Sequence, residues 1–451
     1  MTDQRPGRPV RIVMLGPFGL GPKMTMRRRA LPAARALAAR GHAVTLILPP
    51  WQTPEAGGRE YDDAVPGVRI VNVSLAGLRV PLLGHLILAA RMARRSIALR
   101  PDVVYAFKPK AYSGLAATLL RLARTLRLVA PFRLVVDTDD WEGAGGWNDL
   151  ERYSAAQRAV FAWQERHGLT RADHVTVASR ALETLVLAMG VPPNRVTYLP
   201  NALDDSAAIG ETARLDADAP LRNVDADPNA LSPTTLAANT PHPPTLLLYT
   251  RFFEFALDRP LAVLVRVRER LPDARLVVAG AGLFGEERRF ADLAARRGLT
   301  DAVDVRGWLD PSAAAATFAA ADIALYPFDD TLINRTKSPY KLLELMAAGL
   351  PVIADAVGEL REVIVDGESG RLVPCGDAAA MGAAAVAVLS DAALRARLSR
   401  GARERIAAAY AWSAVVARLA AVLADDPRPD DLRRDDPRPD DPRPDDVHLP
   451  P

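Results

Sequence analysis

The chain has 451 residues, enough for two or three domains, with 49% apolar residues to fill real cores and 25% charged residues to wet a surface. Fifty-seven Lys and Arg against 54 Asp and Glu leave a net charge of +3, too small a bias to argue for a nucleic-acid partner. A single cysteine, Cys375, excludes internal disulfides and fits a reducing compartment.

Apolar strands alternate with helices through the first half, the pattern of a parallel sheet covered on both faces. Residues 10–15 read as the first strand, 28–40 as a helix and 44–48 as the next strand. Further strands are expected at 68–73, 103–106, 134–137, 174–178 and 196–199. Gly16-Pro-Phe-Gly-Leu-Gly21 lies between the first strand and helix, where Gly19 and Gly21 let backbone approach a sugar or phosphate; such a turn is common, and its functional and bland readings weigh about evenly. The runs Met26-Arg-Arg-Arg29 and Arg91-Met-Ala-Arg-Arg95 suit anionic phosphates or a lipid surface, and solvated helix faces explain them at least as well. Segment 80–93 joins an apolar face to basic residues downstream. It reads equally as a helix resting on a membrane and as a buried helix of the first domain.

Residues 204–244 turn to Ala, Asp, Pro, Thr and Asn without a sustained period, a partly disordered connection between two domains. The second domain, 245–409, resumes the alternation with strands at 245–250, 275–279, 303–306, 323–326, 352–354 and 370–373, then helices at 378–389 and 391–409. Apolar residues at helical spacing continue through 410–424, and 425–451 repeats Arg-Pro-Asp-Asp, a tail that cannot form a core. No signal-peptide pattern is read before the first domain, 1–203, and no run of about 18 apolar residues occurs, so a cytoplasmic location is expected.

The densest chemistry lies in Arg335-Thr-Lys-Ser-Pro-Tyr-Lys-Leu-Leu-Glu344 and the Met346-Ala-Ala-Gly-Leu-Pro-Val-Ile-Ala354 that follows. Ser338 is placed to cap a helix that Gly349 ends, and Arg335, Lys337 and Lys341 crowd its positive end, where free N–H groups favour an anion. Glu344 stands about one turn further on, within reach of the hydroxyls of an attached ribose.

This segment resembles the nucleotide-sugar signature of retaining family-4 glycosyltransferases (glycosyl transferases group 1). The resemblance continues in Arg40-Gly-His-Ala-Val-Thr45, Pro101-Asp-Val-Val104, Val177-Ala-Ser179, Leu199-Pro-Asn-Ala202, Leu276-Val-Val-Ala-Gly-Ala-Gly282, Ala321-Asp-Ile-Ala-Leu-Tyr-Pro327 and Asp366-Gly-Glu-Ser-Gly370. It implies the α/β GT-B fold: two Rossmann-like domains facing across a cleft, with the last helix crossing back. It also implies transfer, with retention, from a UDP- or GDP-sugar to a glycan, lipid-linked or small-molecule acceptor in cell-envelope glycan or glycolipid synthesis. The nucleotide sugar is then a co-substrate, no cofactor or nucleic acid is involved, and peripheral contact with the inner membrane face is compatible.

By the same resemblance Arg251 meets the donor diphosphate. The family's lysine five positions on is Ala256 here, so Arg259 or Lys337 must supply that charge, and Lys337 is favoured. Of the family's paired glutamates Glu344 is present, for the ribose, while Thr336 stands at the first. Gly280, Gly282, Gly358 and Glu359 fall at carboxyl edges of strands, and Trp308 either stacks near the base or packs inside. Where relatives carry histidines the first domain has Tyr105-Ala-Phe-Lys-Pro-Lys110 and Asp137-Thr-Asp-Asp-Trp-Glu142. Asp139 or Asp140 is therefore expected to orient a hydroxyl or take a proton, with Lys108 holding a phosphate or carboxylate; a helix cap in an acidic surface loop is the competing reading. Asp137-Thr-Asp139 is too short a pattern to imply a metal, and the six histidines lack ligand spacing, so none is expected. Ala256 and Thr336 keep a non-catalytic sugar-nucleotide binder open, whereas a nicotinamide dehydrogenase lacks the full glycine spacing at Gly280-Ala-Gly282.

Overall fold

The computed structural model describes residues 9–21, 25–76, 81–205 and 242–424. Most of the expected connection, 206–241, and the whole tail, 425–451, lie outside the described residues.

The first sheet has eight strands: β1 (Arg11–Leu15), β2 (Ala43–Leu48), β3 (Glu60–Asp62), β4 (Val68–Asn72), β5 (Val103–Phe107), β6 (Arg133–Thr138), β7 (His174–Val177) and β8 (Val196–Tyr198), in the order β3-β4-β2-β1-β5-β6-β7-β8. The second has six: β9 (Thr245–Tyr249), β10 (Arg275–Ala279), β11 (Val303–Gly307), β12 (Ile323–Tyr326), β13 (Val352–Asp355) and β14 (Arg371–Val373), in the order β11-β10-β9-β12-β13-β14. Among the described residues all pairings between these strands are parallel except β3 with β4. Central strands such as Val103-Val-Tyr-Ala-Phe107 are buried on both faces, which is why each reads as an unbroken apolar run. β3 escapes the sequence because Glu60, Tyr61 and Asp62 form a short, exposed edge without that signature.

Strand order reverses between β1 and β5 in one sheet and between β9 and β12 in the other. Parallel sheets open a crevice at the carboxyl ends of strands flanking such a reversal. Backbone strain accumulates there: Lys108, just after β5, has φ 55°, and Phe252, three residues beyond β9, has φ 68°.

The helix Pro81–Ala98 decides between its two readings by face. Leu88, Met92 and Ala93 join the first domain's core, while Leu83 and Leu86 are exposed. Arg91 and Arg95 donate to the Ser74 carbonyl and Glu60. Among the described residues no single helix is long and apolar enough to cross a membrane.

After the second sheet the chain returns. In the helix Trp412–Ala424 the side chains of Trp412, Val415, Val416, Leu419, Val422 and Leu423 enter the first domain's core beside Ala34 and Leu37. The return is pinned by reciprocal backbone bonds, Leu203 N–H to the Tyr410 carbonyl (2.8 Å) and Trp412 N–H to the Leu203 carbonyl (3.0 Å).

Candidate active site

At the reversal point of the second sheet, Thr250, Arg251, Phe252, Phe253 and Glu254 turn tightly away from β9. Phe252 N–H donates to Thr250 Oγ1 (2.8 Å), and the Glu254 carboxylate accepts from Thr250 Oγ1 (3.1 Å) and Arg251 N–H (3.3 Å). A shallow crevice opens beside the turn, lined by Tyr249, Thr250, Glu254, Tyr326, Pro327 and Phe328 among others. Lys337 Nζ donates to Glu254 Oε1 (2.6 Å), so a lysine from beyond β12 stands beside the Arg251 turn. Burial would raise Glu254, but Lys337 outweighs it and holds the carboxyl below its ordinary range. Arg259 serves elsewhere, pairing with Asp329 and Asp355 at 3.1 Å each.

Arg251 pairs with no carboxylate among the described residues. Its guanidinium lies over the rings of Trp147 (5.5 Å) and Phe253 (5.8 Å), and Lys337 Nζ is 4.5 Å from the Phe253 ring. Phe253 thus lies between two cations. Lys341 donates to the Thr250 carbonyl (2.8 Å) and lies over Tyr249 (4.1 Å). Burial, with like charge from Lys337 and Arg251, pushes Lys341 down to about 7.

The expected basic helix mouth is corrected in two places. The helix runs Tyr340–Ala347 with Pro339 at its cap position, and Ser338 Oγ instead accepts from Asn201 N–H of the first domain (3.1 Å), whose side chain donates to the Ser338 carbonyl (2.9 Å). Arg335 is exposed and donates to Asp330 (2.7 Å), away from the cluster. Glu344 pairs with neither Arg335 nor Lys341. Its Oε1 lies 3.0 Å from Arg28 Nη2 of the first domain. Glu359, expected at a sugar-facing edge, bridges the domains: it accepts from Arg180 N–H (3.0 Å) and from the Tyr198 hydroxyl. Burial pushes Glu359 up to about 7.

Close approach explains two of the glycines. A Cβ on Gly280, at φ 127°, would fall 1.9 Å from the Thr250 carbonyl, and one on Gly358, at φ 49°, would fall 2.6 Å from Arg335 backbone. Gly282 is likewise crowded by Glu286, whereas Gly19 and Gly21 lie against Pro50 and Thr53 of the first domain. Trp308 is 74% exposed, which removes its packing reading.

In the first domain, Lys108 is caged by its own chain, with Asp140 at 2.8 Å, Asp139 at 3.2 Å and Glu142 at 3.4 Å. It therefore presents no free ammonium to a substrate phosphate, contrary to expectation. The exposed acidic loop is also corrected, because Asp139 and Glu142 are buried. Asp139 Oδ1, although near Lys108, receives no hydrogen bond among the described residues. Burial, with like charge from Asp140 and Asp137, pushes Asp139 up to about 7; Lys108 overcomes the same burial at Asp140 and lowers it. Lys337 also acts on Asp140, and a Cβ on Gly145 would sit 3.1 Å from Leu332, so this loop meets the second domain where Arg251 covers Trp147.

Trp147, Phe253, Glu254 and Arg28 were not legible as site residues. Phe253 and Glu254 stand two and three positions after Arg251, which is the one local signal. The run Met26-Arg-Arg-Arg29 divides: Arg27 is exposed, Arg28 pairs with Glu344, and Arg29 is buried against Asp137 (2.6 Å), a carboxylate that also accepts from Tyr105 (3.1 Å) and Thr176 (2.7 Å). Asp137 and Asp139 thus serve different partners.

Comparison with known proteins matches residues 25–202 to a family model described as glycosyl transferase 4-like domain and residues 243–391 to one described as glycosyl transferases group 1. The phosphatidyl-myo-inositol mannosyltransferase of Mycolicibacterium smegmatis is 34% identical over 35% of this chain, a region spanning 39% of that relative. The GDP-mannose-dependent alpha-(1-6)-phosphatidylinositol monomannoside mannosyltransferase of Mycobacterium tuberculosis is 27% identical over 87% of this chain and 92% of its own length. Among solved structures, sucrose-phosphate synthase from Thermosynechococcus elongatus has a TM-score of 0.61 at 20% identity, covering 92% of this chain and 98% of that one. Anabaena HepE in complex with UDP and glucose has 0.61 at 17%, covering 92% and 100%. These likenesses show the two-domain GT-B fold.

Proposed function

From the premise that this chain belongs to the glycosyltransferases built of a glycosyl transferase 4-like domain and a group 1 domain, we propose that it transfers a sugar from a UDP- or GDP-sugar to an acceptor held by its first domain, with retention of anomeric configuration. The observation that carries this reading is the meeting of Arg251, Lys337 and Lys341 about the turn that follows β9, with Arg251 over Trp147 and Lys337 acting on Asp140 across the domain boundary. The three cations neutralise the diphosphate as the bond from the anomeric carbon to the β-phosphate oxygen breaks. Gly280, Gly282, Gly358 and Glu359 belong to the loops around the donor, with Trp308 and Ser338 at its margin and Gly19 and Gly21 opposite. Glu344 accepts the ribose hydroxyls. The acceptor oxygen bonds to the anomeric carbon, and its proton passes to the departing phosphate or to Asp139, whose pKa near neutrality suits the task.

The named relatives act on phosphatidylinositol lipids, and a glycan or lipid-linked acceptor fits this chain as well. The exposed Leu83 and Leu86 suit a peripheral membrane contact from the cytoplasmic side. Incubation with a panel of UDP- and GDP-sugars should give slow hydrolysis or transfer that Glu344→Ala abolishes. One observation favours the second reading, a non-catalytic binder: the Thr336 hydroxyl donates back to the Leu332 carbonyl (2.9 Å) and replaces nothing the missing glutamate would do. Donor binding without any turnover across the panel would establish that reading instead.

A further inference from the structure

Glu344 lies at the junction of the domains, and the group that fixes it comes from the other one. Arg28 Nη2 is 3.0 Å from Glu344 Oε1, and the same guanidinium lies 4.6 Å from the Tyr340 ring. Tyr340 and Glu344 are four residues apart on one helix, so a single side chain of the first domain clasps two successive turns of the second. The backbone that carries Arg28 is itself immobilised. Its neighbour Arg29 is buried against Asp137 and donates to Asn201 Oδ1 (3.1 Å), while Asn201 holds Ser338.

The clasp takes one carboxylate oxygen only. Glu344 Oε2 is buried and accepts no well-formed hydrogen bond among the described residues, the Tyr249 phenol being the donor nearest the carboxylate besides Arg28. A buried carboxylate oxygen without a donor is costly, and a hydroxyl supplied by a ligand relieves that cost. A pairing built merely to shut the cleft would gain from engaging both oxygens, as arginine readily does with carboxylates. Here the guanidinium is drawn over Tyr340 and leaves the second oxygen to another donor.

We propose that Arg28 is a positioning residue of the donor site, which holds Glu344 so that its second oxygen accepts a ribose hydroxyl. The inference rests on the reading of Glu344 as the ribose contact. It adds that ribose recognition is assembled from both domains: Glu344 is oriented only while the first domain stands against the second, and nucleotide binding favours that arrangement. The Tyr249 phenol adjoins both charges and completes the enclosure.

The test measures affinities of UDP, GDP and their 2′-deoxy and 3′-deoxy forms by titration calorimetry on the full chain, Arg28→Met, Arg28→Lys and Glu344→Ala. The wild-type chain should prefer the ribonucleotide, and Glu344→Ala should erase the preference. Arg28→Met should bind the ribonucleotide about tenfold more weakly and lose most of that preference while binding the deoxy forms nearly as before, with Arg28→Lys recovering part of it. A general defect in folding or packing would instead weaken ribo and deoxy forms together, and that result overturns the proposal. Tighter ribonucleotide binding in Arg28→Met also overturns it, since Arg28 would then be a competitor for the carboxylate. If wild type shows no ribose preference, or Glu344→Ala keeps it, the ribose reading of Glu344 fails, and this inference falls with it. An intact Glu344 effect beside an unaffected Arg28→Met rejects the inference alone.

Discussion

An ammonium crowded by two other cations in a partly desolvated place gives up its proton easily, and Lys341 occupies such a place between Lys337 and Arg251. With its pKa lowered from 10.5 to about 7, Lys341 is largely neutral at pH 8 in the free protein. A bound diphosphate adds negative charge beside it and favours the protonated form. Binding at pH 8 should therefore take up close to one proton, whereas at pH 6 the lysine is already charged and takes up little. Affinity for nucleoside diphosphate should fall as pH rises from 6 to 8. Calorimetry in two buffers of different ionisation enthalpy measures the uptake directly, and Lys341→Met should remove it. The same crowding explains what sequence spacing conveyed about the site. The local run from Lys341 to Glu344 placed its charges near one another, because residues three apart share a helix face, whereas Lys337 lies before that helix. Spacing cannot show that Lys337 meets Glu254, 83 positions away, or that Arg28 meets Glu344.

At the scale of elements, strands were legible wherever burial on both faces wrote a continuous apolar run, and the polar edge β3 was not. The final helix was legible as a helix from its period, yet its destination depends on a partner surface more than 350 positions earlier. Its apolar face has no core of its own in the second domain and fills one in the first, so it is a structural strap between them. Leu419 is fully buried within that contact. Leu419→Ala deletes the side chain where neighbours from both the strap and the first sheet are held in place, and the site collapses only in part. Urea denaturation should show a loss of about 2–5 kcal/mol with little change in the denaturant slope. A change below about 1 kcal/mol would mean that the strap is peeled away before the domains unfold.

For the molecule as a whole, the boundary between the domains is held by polar contacts that answer to pH. Glu359 accepts from the Arg180 N–H and the Tyr198 hydroxyl while its own residue is 2% exposed. Burial raises its pKa from 4.5 to about 7 despite both donors. The sign follows from proton counting: between about pH 4.5 and 7 the folded protein retains a proton that the unfolded chain has lost, so this residue's share of stability is greatest at the acid end and declines as pH rises through that window. The full displacement corresponds to about 3 kcal/mol at most. Glu359→Gln cannot ionise and still accepts from both donors, so it should flatten that part of the pH profile and make the variant relatively more stable at pH 8 than at pH 5. Unfolding free energies of the two proteins at pH 5 and pH 8 test this. Parallel profiles would show that Glu359 stays ionised throughout, its charge already balanced by the contacts that join the two domains.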